Sequence, residues 1–381
     1  MKKLSILATL FVGLFLTASC DSDRDSNPTL EQPSSFVLNT PAIADATYDL
    51  DHATTFKLTT SQPDYGYTAA TTYYIQASLH ADMSDYLEVS ATSHNVNIET
   101  KATKLANAVT QLMLNAGKEE ADFPLTTPVY IRLRASLGSS NGEGEVLSNT
   151  IQLKSVRTSF CLPPVELPTT MYVKGSFNNW SWDEKKVIKM VQVNGAENEF
   201  WHLVWIDGDG IKFNYEASDS EGQLMGYEGC TITGEAAGDI IDNNGNIASN
   251  NPGWYLLYIQ TELDKRDIIY TVNVLKPHVW LIGDVMGQVW DEENPAALFT
   301  VPTTADGEFV SPAFLGAGAI RAYVKLPGTE WWKSEFIIKK ETGKEYGKVD
   351  YRGLGGDQYR VSATVGQKFY INFSNENARV E

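Results

Sequence analysis

Two tryptophans on loops are the residues of this sequence whose type and setting most directly suggest a binding surface. The stretch GSFNNWSWDEK (175–185) sets Trp182 among asparagine, glycine and acidic residues, a composition typical of a turn. The stretch GDVMGQVWDEE (283–293) sets Trp290 at the same distance after a glycine. A tryptophan face is apolar and rigid, so it can lie flat against the C–H face of a sugar ring while a nearby cation or amide donates hydrogen bonds to hydroxyl pairs.

These loops belong to an internal repeat. The segment MYVKGSFNNWSWDEK corresponds to VWLIGDVMGQVWDEE, and EFWHLVWIDGDGIKFNY (199–215) aligns without gaps on EFVSPAFLGAGAIRAYV (308–324). The alignment pairs Lys212 with Arg321, each predicted to lie on a strand. Each copy then continues with a variable loop, a glycine-rich segment and a final aromatic strand.

The repeat defines one set of candidate binding residues in each copy. The first copy offers the ring of Trp182, the cation of Lys212, Tyr227 in the variable loop and the amide of Asn246.

In the second copy the candidates are Trp290, Arg321 and the adjacent pair Trp331 and Trp332 of GTEWWKSEF. Adjacent residues of a strand face opposite sides, so one ring of the pair is expected to bind and the other to pack, with Trp331 as the expected binder.

Structural roles are the alternative for each of these side chains. The two loop tryptophans could close the ends of a sandwich, and the two cations could be ordinary charges on a strand surface. Four other tryptophans alternate with apolar neighbours in strands and are predicted to lie in the core: Trp201, Trp205, Trp254 and Trp280.

The sequence favours binding over catalysis. Acidic pairs follow both loop tryptophans, Asp183-Glu184 and Asp291-Glu292, and sugar hydrolysis uses paired carboxylates. Neighbours in sequence do not by themselves form a facing pair, so the protein is not expected to be an enzyme. No pair of cysteines or histidines has metal-ligand spacing, and no cofactor is predicted. A net charge of −18 argues against a nucleic-acid partner.

The N-terminus is typical of a secreted chain. MKKLSILATLFVGLFLTASC carries two lysines, an apolar run and small residues before a cysteine, and its apolar part is too short for a persuasive membrane span. LTASC resembles the lipobox of bacterial lipoproteins, which implies a signal peptide over 1–19 and lipidation of Cys20. A plain secreted protein with an incidental Cys20 is the alternative. The acidic stretch over 20–33 is interpreted as a tether and resembles a surface-export signal of Bacteroidetes lipoproteins.

The rest of the chain predicts an all-β protein. Short runs rich in Val, Ile, Tyr and Thr, such as PVYIRLRASL and GWYLLYIQ, are bounded by turn residues at a spacing that suggests sandwiches. One segment with helical spacing, 99–117, predicts a helix that closes on Gly117. The proline-rich linker CLPPVELPTT precedes the first copy. A disulfide between Cys161 and Cys230 is possible but not implied.

Together these features resemble the SusE/SusF family of starch-binding outer-membrane lipoproteins of Bacteroidetes. The resemblance covers essentially the whole chain. It implies an N-terminal immunoglobulin-like sandwich (34–158), followed by two tandem β-sandwich carbohydrate-binding modules (168–275 and 277–381).

The resemblance also implies what the modules do. An aromatic platform and a cation fall on Trp182 with Lys212, and on Trp290 and Trp331 with Arg321. The implied ligands are starch, amylopectin and maltooligosaccharides, held at the outer membrane for a separate surface amylase and a SusCD-like transporter complex. A different polysaccharide, or a structural or adhesive role, remains the alternative.

Overall fold

A computed structural model describes residues 30–138, 144–183, 185–219, 224–340, 347–355 and 361–381. The predicted signal peptide, Cys20, most of the tether and Glu184 lie outside these residues. Within the described part of the chain, no helix is long and apolar enough to cross a membrane. The chain divides into two compact units, Met1–Pro163 and Pro164–Glu381.

Within the described residues, the N-terminal unit is a sandwich with one α-helix in its second layer. Its strands are β1 (Thr47–Asp49), β2 (Thr55–Thr59), β3 (Thr71–Ser78), β4 (Leu87–Ser93), β5 (Asn97–Lys101), β6 (Leu125–Leu137), β7 (Val146–Leu147) and β8 (Ile151–Thr158). One sheet has the order β1-β8-β6-β3-β4 with β7 on β6, and β2 pairs with β5. A short 3-10 helix covers Glu120–Asp122.

The predicted helix is confirmed as α1 (Ala102–Asn115). Its apolar residues recur at helical spacing, and Leu105, Val109 and Leu112 are buried in the core of the N-terminal unit. The helix ends as predicted, because Gly117 adopts φ +83° and donates its N–H to the Leu114 carbonyl at 2.9 Å.

The first repeat is built from two five-stranded sheets. Its strands are β9 (Tyr172–Gly175), β10 (Ile188–Lys189), β11 (Val191–Val193), β12 (Ala196–Ile206), β13 (Ile211–Asn214), β14 (Thr231–Thr233), β15 (Ile240–Asn243), β16 (Asn246–Ser249), β17 (Gly253–Asp264) and β18 (Asp267–Leu275). The sheet orders are β10-β9-β13-β16-β15 and β11-β12-β17-β18-β14. Short 3-10 helices cover Ser176–Asn178, Tyr227–Gly229 and Ala237–Asp239.

The second repeat has one long sheet. Its strands are β19 (Trp280–Leu281), β20 (Phe309–Val310), β21 (Gly318–Ala319), β22 (Ala322–Tyr323), β23 (Glu335–Lys340), β24 (Gly347–Tyr351), β25 (Ser362–Ala363), β26 (Phe369–Asn372) and β27 (Asn377–Val380). The order is β19-β22-β23-β24-β27-β26-β20, with β21 and β25 as a separate pair. The segment 298–300 bridges to Trp280 and Val310 and so links the two ends of this path.

In the described residues of the second repeat, four 3-10 helices connect the strands. They cover Asp284–Met286, Pro295–Ala297, Trp331–Ser334 and Arg352–Leu354. We name Trp331–Ser334 the platform turn and Arg352–Leu354 the arginine turn.

The two repeats share a hydrophobic core. Strands β12 and β17 are apolar in consecutive residues, so both of their faces can be buried. Phe200 and Val204 lie in the core of the first repeat, whereas Trp201 and Leu203 lie in a cluster with residues of the second. Of the four tryptophans predicted to lie in the core, Trp201, Trp254 and Trp280 are buried, and Trp205 is half-buried against the same cluster.

The all-β fold class is confirmed, with α1 as the exception that the sequence predicted. The possible disulfide is not formed, because Cys161 and Cys230 are both free thiols. Cys230 lies 3.2 Å from the Gly226 carbonyl oxygen, and burial raises the pKa of its thiol to about 12.

Candidate functional site

Strand register places three polar residues side by side on the outer face of the first repeat. Ile211 and Phe213 are buried in the core, so Lys212 between them points outward. Lys212 pairs with Lys174 on β9. The pairing of Ile211 with Ile247 makes Asn246 the neighbour of Lys212 on the other side.

Trp182 is fixed over this face by two contacts. The Lys174 ammonium lies 4.6 Å from the centroid of the Trp182 ring. The indole N–H donates to Asp219 Oδ1 at 2.7 Å, and the same carboxylate is paired with Lys174. Hydrogen bonds from Lys174 and Trp182 lower the pKa of Asp219, and the charge of Lys212 acts in the same direction.

Sequence reasoning missed Lys174 and Asp219. A signal for Lys174 existed, since the alternation of YVKG around buried Val173 puts this lysine on the same face as Lys212. Nothing in the sequence around Asp219 indicates that it binds Trp182, because the contact joins two loops far apart in the chain.

The structure places Tyr227 in a 3-10 turn and Asn246 at the first position of β16, and the adjacent glycines Gly226 and Gly245 lie close to Lys212. Tyr227 is half-buried against the first-repeat core, and its N–H donates to the Gly245 carbonyl at 3.0 Å. Among the described residues, Tyr227 makes no ring contact with Trp182. The Asn246 side-chain amide donates to the Asp209 carbonyl at 3.0 Å, so this amide already stabilises the loop that contains Asp209. Their role in ligand binding stays a prediction.

The second repeat presents two tryptophan rings at an angle. Trp290 is 45% exposed, and its ring centroid lies 5.9 Å from that of Trp331 with 46° between the ring planes. The Trp290 ring lies over Gly283, which has φ +80°, and a β-carbon there would be 2.8 Å from Trp290 Cη2. Trp331 is supported from behind by Tyr323, at a centroid distance of 6.0 Å.

The strand expected to hold the tryptophan pair is absent, since both residues lie in the platform turn. The hydroxyl of Ser334 donates to the carbonyls of Val324 and Trp331, which favours a tight turn here. The two rings nevertheless diverge. Trp331 faces Trp290. In contrast, the ring centroid of Trp332 lies 5.2 Å from the guanidinium carbon of Arg352.

Arg321 lies immediately before β22 and not within a strand as predicted. Its carbonyl accepts the N–H of Ile282 at 3.1 Å, which corresponds to the pairing of Lys212 with Lys174 in the first repeat. The Arg321 guanidinium carbon lies 5.6 Å from the Trp290 ring centroid.

A buried carboxylate fixes Arg321. Glu335 is 2% exposed and accepts hydrogen bonds from Arg321 Nη1 at 2.9 Å and from Arg352 Nη1 at 2.6 Å. Charge-assisted bonds of this kind hold planar guanidinium groups in a set orientation. Arg352 is thus a component of the second site that the sequence analysis missed within its glycine-rich segment.

Two of the acidic residues beside the loop tryptophans, Asp183 and Glu292, have structural partners. The Asp183 carboxylate accepts the N–H of Lys185 at 3.0 Å. Glu292 is paired with Lys325. Both contacts stabilise the loops that carry Trp182 and Trp290.

Angled or fixed aromatic rings beside cations, on the surface of tandem β-sandwich repeats, define a carbohydrate-binding module. Residues 170–271 and 278–379 each match the family described as SusF/SusE starch specific CBMs, where CBM denotes such a module. The two matches cover more than half of the chain, which therefore belongs to the SusF/SusE family. Residues 22–134 match the family described as SusE outer membrane protein, which associates the chain with the outer membrane.

The chain is also similar to individual proteins. The outer membrane protein SusF of Bacteroides thetaiotaomicron is 38% identical over 223 residues, which are 56% of this chain and 44% of that relative. The aligned part therefore spans less than half of the relative's length. The crystal structure of SusF from the same species aligns with a TM-score of 0.49 and 22% identity, covering 91% of this chain and 99% of that one.

Proposed function

We propose that this protein is a non-catalytic, cell-surface starch-binding lipoprotein with one glycan site in each repeat. The observation that carries the proposal is the Trp290–Trp331 pair, whose planes differ by 46°. An α-1,4-glucan is helical, so its curved face fits two angled rings better than a flat pair. Arg321 beside Trp290 can donate hydrogen bonds to glucose hydroxyls.

The first site is proposed to use a different set of groups. Trp182 supplies the ring, and Lys212 supplies the outward-facing cation beside Asn246. Tyr227 is the candidate second ring. Lys174 and Asp219 hold Trp182 in place and are assigned a positioning role.

Each site is small and exposed, so we expect a dissociation constant of ~10 µM to 1 mM. Two sites on one chain increase retention of a polymer that reaches both, because the second binding event becomes intramolecular. The proposed role is to hold starch, amylopectin and maltooligosaccharides at the cell surface. A lipid on Cys20 would anchor the chain facing the exterior, near a surface amylase and a SusCD-like transporter complex.

Affinity electrophoresis of the mature chain without its lipid tests this proposal. Gels contain amylopectin, a soluble cellulose derivative or mannan, and the wild type runs beside Trp182→Ala, Trp290→Ala and the double variant. Tyr86→Ala is the matched control, because this tyrosine of the N-terminal unit is also 45% exposed.

We expect retardation by amylopectin alone, reduced in each single variant and lost in the double variant. Retardation by cellulose or mannan in place of amylopectin would assign the sites to another polysaccharide. No retardation in any gel would leave the structural or adhesive role.

A further inference from the structure

Part of the second site is carried by the platform turn and the arginine turn, and both turns contact the first repeat. Trp331 and Trp332 are in the platform turn, and Arg352 is in the arginine turn. A turn has no sheet ladder to fix its orientation, so its position depends on what it contacts.

Strand β11 of the first repeat contacts both turns. The N–H of Asn194, just after β11, donates to the Lys333 carbonyl of the platform turn at 2.9 Å. Gly353 of the arginine turn lies directly on Gln192, and a β-carbon at Gly353 would be 2.9 Å from the Gln192 carbonyl carbon and closer still to its oxygen.

The supporting strand is itself held in place. The Gln192 amide donates to the carbonyls of Thr169 at 2.7 Å and Glu197 at 3.2 Å. Trp201, on the adjacent strand β12, packs against Tyr351 of the second repeat, the residue that precedes the arginine turn, with ring centroids 5.5 Å apart. Movement of the arginine turn is therefore opposed by a hydrogen-bonded and packed surface.

The two turns are also coupled to each other within the second repeat. Glu335, which follows the platform turn, binds Arg352 of the arginine turn and Arg321 beside Trp290. A displacement of the arginine turn is transmitted through this carboxylate to the cation of the site.

We infer that strand β11 of the first repeat positions the second glycan site, with Gly353 as its point of contact with the arginine turn. The second site is then a property of the paired repeats and not of the second repeat alone. This inference rests on the proposed function, and Gly353 acts as a positioning residue that does not touch the ligand.

The substitution Gly353→Ala tests the inference in the mature chain. Gly353 is outside the left-handed region of backbone conformation, so backbone strain is not expected in an alanine variant, and the atoms nearest to the new β-carbon belong to Gln192 and Val191. Gly238→Ala is the matched control, since Gly238 is also outside that region and has nothing within 4 Å of its β-carbon position. Each change is made in a Trp182→Ala chain, which retains the second site, and in a Trp290→Ala chain, which retains the first.

Calorimetric titration with maltoheptaose should show second-site affinity about 3- to 30-fold lower in Gly353→Ala, the effect expected of changes remote from a ligand. First-site affinity should not change, and Gly238→Ala should match its parent at both sites. The circular dichroism couplet of the Trp290–Trp331 pair should shift in Gly353→Ala without any ligand.

Three results would overturn the inference: an unchanged second site in folded Gly353→Ala, an equal loss at both sites, or weakened binding with an unchanged couplet. Failure of the proposed function is distinguishable, because Trp290→Ala would then leave glycan binding unaltered. The couplet, measured in chains that retain Trp290, would still report the geometry of the ring pair.

Discussion

At the scale of single residues, the first site depends on an ion pair that also orients a ring. Asp219 accepts from the Trp182 indole and is paired with Lys174, whose ammonium lies against the face of the same ring. The carboxylate is largely exposed, so its role is geometric and its contribution to the free energy of folding is small.

The Asp219→Asn change should lower the glycan affinity of the first site by about 2- to 10-fold, because the charged carboxylate that holds Trp182 and Lys174 is removed. In the wild type, the lowered pKa of Asp219 keeps the carboxylate charged, so first-site binding should be constant from pH 7 to 5. It should fall only as the pH drops through the lowered pKa, below the usual aspartate value near 4.

Titration calorimetry of a Trp290→Ala chain, with and without Asp219→Asn, measures first-site affinity from pH 7 to below about 4. Asp267→Asn, at the exposed first position of β18 in the same repeat, serves as the control and should match the parent. A first site in Asp219→Asn with wild-type affinity and the same acid profile would show that Asp219 does not position Trp182.

At the scale of elements, the two sites are built by different loops on a common framework. Lys212 lies beside the turns that contain Gly226 and Gly245, whereas Arg321 is fixed by Glu335, which follows the platform turn and also binds the arginine turn. The strand that precedes each loop tryptophan is common to both repeats, whereas the loops supply different binding side chains in each repeat.

The Gly226→Ala change should separate the turns around Lys212. A β-carbon at Gly226 would lie 3.1 Å from both the Gly245 carbonyl carbon and Lys212 Cε, and closer to the Gly245 oxygen. We expect first-site affinity for maltoheptaose to fall by about 3- to 30-fold in a Trp290→Ala chain. In a Trp182→Ala chain the second site should be unaffected, and a loss there would indicate general misfolding.

The sequence predicts an element well when its structure depends on neighbouring residues, and poorly when it depends on contacts between distant segments. The helix α1 follows from periodicity and Gly117, and the correspondence of Lys212 with Arg321 follows from the repeat. The platform turn was not predicted, because the aromatic run WWKSEF has strand composition and Ser334 bonds a distant carbonyl. Asp219 and Arg352 act through contacts between loops, which sequence spacing does not encode.

At the scale of the whole molecule, the two repeats form one compact unit around a shared core. Trp201 is 0% exposed and packs against Phe336 and Tyr351 of the second repeat. The consecutive apolar residues of β12 and β17 carried a signal for burial on both faces, although the sequence does not indicate which surface covers the second face.

The Trp201→Ala change should therefore destabilise both repeats together, by about 3–5 kcal/mol, through the loss of a fully buried ring. Thermal unfolding followed by calorimetry should show a single transition for the two repeats, moved to lower temperature. Leu263→Ala is the control, since this leucine is 43% exposed and its loss should change the free energy of unfolding by less than about 0.5 kcal/mol. Separate transitions for the two repeats would contradict the shared core.

Because both faces of β12 and β17 are buried, the two repeats cannot be separated into fragments without exposing apolar surface. A fragment that stops at Lys276 would leave Trp201, Leu203, Trp254 and Leu256 without their covering layer. That bare sheet face would be an adhesive surface, and two such fragments would associate through it or exchange strands. A single repeat is the segment that is duplicated in this sequence. We expect the smallest soluble fragment to be larger, because it must contain both repeats.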